Sequence, residues 1–82
     1  MTNQNMQLLI GGNIRRIREA SGKSIALCCQ PLGMSRAFWN DVERGVKGAR
    51  MATLERMAKV LGVSVRDFLE VHDEKPKKRR SA

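Results

Sequence analysis

The sequence predicts an all-α fold of five short helices, and three observations carry that expectation. No stretch alternates apolar and polar residues with period two, and β-branched residues are few, so strand signals are missing. Four glycines, Gly22, Gly33, Gly45 and Gly62, each close an apolar-periodic segment, where a left-handed residue commonly ends a helix. Three serines, Ser24, Ser35 and Ser64, each follow one of those glycines by two residues. A serine hydroxyl in that place accepts a bond from the unpaired amides of the helix it opens.

The first helix is expected over roughly residues 5–21, with Leu9 or Ile10, Ile14 and Ile17 facing inward. Gly11 and Gly12 fall in its first turns, where each weakens a helix by about 1 kcal/mol relative to alanine. The second helix starts near Ile25 and runs to Gln30 or Leu32. Pro31 inside it removes the bond to Leu27, so either this helix is short or its last turn is distorted. The third, about Arg36 to Arg44, buries Trp39 and Val42. The fourth, about residues 51–61, carries the stripe Met51, Leu54, Met57 or Ala58, and Leu61. The fifth, about 65–71, presents Val65, Phe68 and Leu69 after a capping-box-like Ser64 and Asp67 pair. Residues 1–73 are expected to form one domain, and residues 74–82, polar and then basic, a disordered tail.

Composition bounds the function. A chain of 82 residues has room for one small core. Sixteen basic against eight acidic side chains give a net charge of +8. The excess is uneven: residues 1–50 hold eight basic and three acidic side chains, residues 51–74 three and five, and residues 75–82 five and none. That pattern asks for a polyanionic partner, a nucleic acid or an anionic membrane surface. No apolar run approaches the ~20 residues of a membrane span, and the N-terminus lacks the basic start and apolar stretch of a signal peptide. A cytoplasmic location with no membrane partner is therefore expected.

Chemistry has few footholds. Cys28 and Cys29 are adjacent and cannot staple distant segments, so they read as small core residues rather than a redox or metal switch. His72 is the single histidine and has no second one to share a metal. CxxC, HExxH, GxSxG, Walker and GxGxxG patterns are all missing. The expectation is no enzyme, no metal and no cofactor.

Residues 25–44 (IALCCQPLGMSRAFWNDVER) instead have the organisation of a helix-turn-helix, with the second helix over about 35–44. Two short helices crossing steeply need a small residue where they touch, here Cys29, and a glycine in the turn, here Gly33. They also need apolar residues that clamp one to the other, which Leu32, Met34, Trp39 and Val42 supply.

On these residues the chain resembles the phage-repressor and Cro-like, or Xre, helix-turn-helix family, over about residues 10–69. Ile10, Gly11, Ile14, Ile17 and Arg18 look like the family's first helix, and Val42-Glu43-Arg44-Gly45 matches its hydrophobic-Glu-Arg-Gly signature. Leu54, Met57-Ala58, Leu61-Gly62-Val63-Ser64 and Phe68-Leu69 match its later helices. Three features depart from the pattern: Ile25 stands where glutamine is frequent, Cys28-Cys29 replace Leu-Ala, and Pro31 interrupts helix two.

The resemblance implies a five-helix lambda-repressor-like DNA-binding domain. It implies that Arg36, Ala37, Phe38, Asn40 and Asp41 face base edges. Ser24, Ser35, Arg44, Lys47 and Arg50 would touch phosphates, and the amides opening helix two would add a dipole-aided contact. Arg18 and Glu43 would form a structural ion pair. The function it implies is a sequence-specific regulator of double-stranded DNA, a repressor acting as a homodimer on a palindromic operator. Val65, Leu69 and Val71 are the candidates for the dimer contact. RNA polymerase is a further possible partner, through the acidic segment 55–74. Phage, plasmid and restriction-modification regulators all fit this size. The alternative is an antitoxin-type interaction module that binds DNA secondarily.

Overall fold

A computed structural model describes residues 4–71, and the expectations for His72, for the domain end at Asp73 and for the tail 74–82 lie outside them. The described residues form α1 (Gln4–Ala20), α2 (Ile25–Cys29), α3 (Arg36–Glu43), α4 (Met51–Leu61) and α5 (Val65–Phe68). Among these residues no helix is long and apolar enough to cross a membrane.

The serines and glycines act where the sequence places them. Ser24 Oγ accepts from the Leu27 amide at 3.0 Å and Ser35 Oγ from the Phe38 amide at 2.9 Å. The Ser64 amide donates to the Asp67 carboxylate at 3.0 Å. Gly33 ends the segment after α2 at φ 61°, and Gly62 ends α4 at φ 75°. These are left-handed conformations that a side chain would strain.

Proline decides the length of α2. The helix stops at Cys29 and continues as a single 3-10 turn over Gln30–Leu32 that contains Pro31. Pro31 stands in the first turn of this segment, where the amide it lacks is not needed, and the Gly33 amide closes the turn on the Gln30 carbonyl. The α-helix is thus short, and its last turn is 3-10 rather than α. The Arg56 guanidinium donates to the Leu32 carbonyl at 2.7 Å and fastens this turn to α4.

Two expectations about packing are corrected. The fifth helix ends at Phe68, three residues before 71. The buried Asn13 side-chain amide on α1 donates to the carbonyls of Phe68 at 2.7 Å and Glu70 at 2.8 Å, which holds the backbone there away from helical pairing. Met51, placed on the inward stripe of α4 by its spacing, is exposed at the first position of the helix, and the buried stripe begins at Leu54.

The core gathers Ile14, Cys28, Trp39, Met57 and Phe68, all fully buried, with Val42, Leu54, Ala58 and Leu61 around them. Both Met57 and Ala58 face inward. Gly11 lets α1 close onto α3. A Cβ at Gly11 would stand 2.6 Å from the Glu43 carbonyl oxygen and nearer still to that of Val42. The glycine that weakens α1 locally is what allows the two helices to touch.

Candidate nucleic-acid interface

Helix α3 turns about 100° per residue, so its eight residues divide into two faces. Trp39, Val42 and Glu43 are buried. Arg36, Ala37 and Asn40 lie exposed on the other side, and Ser35 at the helix start and Arg44 at its end are exposed with them. Lys47 and Arg50 in the loop to α4, and Ser24 at the start of α2, are also exposed. Each capping serine uses its oxygen as an acceptor, which leaves its O–H able to donate to an anion.

The buried face rests on one carboxylate. The Glu43 side chain is 3% exposed and its Arg18 partner 12%. Arg18 Nε donates to Glu43 Oε2 at 2.6 Å, and Arg18 Nη2 to Oε1 at 3.1 Å. A third donor on the same guanidinium reaches the Lys23 carbonyl at 2.9 Å. These hydrogen bonds to Glu43 hold the Arg18 pKa above its usual value, against the effect of burial. Trp39 Nε1 donates to Glu43 Oε2 at 2.7 Å, a contact sequence reasoning missed although the two residues are one helical turn apart. The carboxylate therefore has α1 on one side and α3's own indole on the other.

Two of the residues placed near bases have other contacts. The Asp41 carboxylate lies 3.6 Å from the Arg44 guanidinium and 3.8 Å from the Lys47 ammonium. Its carbonyl accepts from the Val46 and Lys47 amides, so Asp41 shapes the loop that carries these cations. Phe38 is half-buried against the core rather than turned out to solvent, and Lys47 Nζ sits 5.9 Å from its ring centroid.

A family model described as a helix-turn-helix domain matches residues 9–70. The chain belongs to this helix-turn-helix family. It is 34% identical over 74 residues to the control protein C.BamHI of Bacillus amyloliquefaciens, covering 85% of this chain and 86% of that one. The crystal structure of an HTH_3 family transcriptional regulator from Vibrio cholerae superposes with a TM-score of 0.76 at 28% identity over 82% of this chain. This chain spans only 38% of that protein. The restriction-modification controller protein C.AhdI from Aeromonas hydrophila has the same fold, with a TM-score of 0.77 at 22% identity over 83% of this chain and 99% of that one. The helix-turn-helix protein described here is a DNA-binding transcriptional regulator of the Xre type, and its relatives are regulators rather than enzymes.

In this helix-turn-helix protein the three residues considered for self-association separate. Val65 is half-buried and packs against its own core. Leu69 is 41% exposed and Val71 76%. Among the described residues no group of histidine, cysteine, aspartate and glutamate could hold a metal ion. Both cysteines are free and buried, and burial pushes both thiols above their ordinary pKa. Alkylation by iodoacetamide at neutral pH should therefore follow opening of the fold and slow as stability rises. Labelling of the native protein at the rate of a free thiol would contradict the placement of Cys28 and Cys29.

Proposed function

We propose that this regulator is a transcriptional repressor that occupies a two-fold symmetric operator as a homodimer. The observation that carries the reading is the exposed face of α3, where Arg36, Ala37 and Asn40 stand together between Ser35 and Arg44. Arg36 has the donor fork for guanine O6 and N7, and Asn40 the donor and acceptor for adenine N6 and N7. Ala37 suits a thymine methyl. Ser24, Ser35, Arg44, Lys47 and Arg50 hold phosphates and set the register. Phe38 and Asp41 act one step back, as the packing and the counter-charge under Lys47 and Arg44.

One such helix reads only a few base pairs, so specificity needs two half-sites about one helical turn apart. Leu69 and Val71 are the exposed apolar residues beyond α5 that the second copy would cover. Residues 1–73 make the DNA-binding domain, and the five basic residues of 75–82 add salt-dependent affinity without sequence preference. Occupancy of a promoter then excludes polymerase. The acidic segment 55–74 offers a surface to polymerase at promoters where the bound protein activates.

Hydroxyl-radical footprinting on a duplex recovered from a random library, with sedimentation of the free protein, tests this. A footprint symmetric about a dyad, and a dimer that Leu69→Asp with Val71→Asp converts to monomer, is the expected result. An asymmetric footprint from a protein that stays monomeric on DNA contradicts it.

A further inference from the structure

We propose that Trp39 is a positioning residue for sequence readout: its indole N–H fixes the Glu43 side chain so that Arg18 sets the rotation of α3. This rests on the reading that α3 faces the bases. Glu43 Oε2 accepts from two donors, Arg18 Nε on α1 at 2.6 Å and Trp39 Nε1 on α3 at 2.7 Å. With the arginine alone, a glutamate keeps rotamers that allow its helix to turn while the ion pair stays intact. The second bond ties the carboxylate back to its own helix, and the pair becomes a fixed strut between α1 and α3.

Rotation matters because of where the readers stand. At about 100° per residue, Arg36 and Asn40 lie within about 100° of Trp39 around the helix. A turn of about 10° at the ~6 Å radius of a helix with its side chains moves their tips by about 1 Å. Donor–acceptor distances of hydrogen bonds span only about half an ångström. Such a turn spoils paired bonds to a base edge and leaves phosphate contacts, which tolerate displacement, largely in place.

Trp39 is the only tryptophan of the chain, so a tryptophan auxotroph replaces this residue alone. Supplying 3-benzothienylalanine keeps the ring shape and removes the N–H. The probes are the duplex selected by the unmodified protein and a scrambled duplex of the same composition, each titrated across salt. The expected result is an about tenfold fall in the selected-to-scrambled affinity ratio, the size of one lost base contact, with the affinity for scrambled DNA and its salt slope unchanged. An unchanged ratio overturns the proposal and leaves the reading of α3 intact. An unmodified protein that prefers no duplex overturns both.

A second measurement needs no substitution. If readout and the indole bond are coupled, selected DNA stabilises the bond in return. Exchange of the indole proton should then be slower in the selected complex than in the scrambled one. Equal exchange in the two complexes overturns the coupling.

Discussion

Arg18→Ala is expected to cost about 3–5 kcal/mol, the penalty for leaving one member of a buried ion pair without its partner. Glu43 would keep only the indole N–H of Trp39, in a site where its side chain is 3% exposed. The Lys23 carbonyl would lose its guanidinium donor as well. A domain of this size has a total stability of about 4–12 kcal/mol, so the substitution should remove at least about a quarter of the margin, and all of it at the lower end. Urea denaturation gives the comparison, with Arg15→Ala beside it. Arg15 pairs with Glu19 on the solvent side of the same helix, and its loss should change stability by no more than about 0.5 kcal/mol. Equal and small losses for the two arginines would contradict the role given to Glu43.

Gly11→Ala and Gly12→Ala should move stability in opposite directions, although the positions are adjacent. At Gly12 an added Cβ meets nothing within 4 Å, and the better helix propensity of alanine adds about 0.5–1 kcal/mol. At Gly11 the new methyl would collide with the carbonyl oxygens of Val42 and Glu43, which are backbone and cannot rotate away. Helix α1 must then lift from the end of α3, at a cost of about 1–3 kcal/mol or more. The shift falls beside the Arg18–Glu43 pair, so the lost stability should appear together with weaker discrimination between DNA sequences. Thermal unfolding of the two variants decides it, and a Gly11→Ala protein as stable as Gly12→Ala would refute the close approach.

These two glycines also show where the sequence is legible. Helix boundaries follow from local chemistry, and the serine and glycine punctuation places α2, α3 and α4 to within a residue at most ends. The family signature brings Arg18 to Glu43, as the resemblance implied. What local reasoning cannot supply is a contact with a distant backbone. Gly11 reads as a weak helix residue until the carbonyls of Val42 and Glu43 are set against it. Asn13 gives no signal in the sequence, because its partners are the carbonyls of Phe68 and Glu70 and leave no side-chain pattern. Helix α5 has four residues, too few for periodicity to separate the half-buried Val65 from the exposed Leu69. The Trp39–Glu43 bond was within reach, since a buried indole N–H needs a partner and a glutamate stands four residues on.

The face of α3 is legible as a face, and what it reads on DNA calls for direct measurement. Selection of bound duplexes from a random library at near-physiological salt tests the central claim, with the unmodified protein, Arg36→Ala and Arg44→Ala in parallel. The account predicts a two-fold symmetric motif for the unmodified protein. Arg36→Ala should lose preference at one position in each half-site, worth about 1–3 kcal/mol. Arg44→Ala should keep the motif and bind all DNA more weakly, with a shallower salt dependence. The same motif from Arg36→Ala at every position, or no motif from any of the three, would contradict base readout by α3.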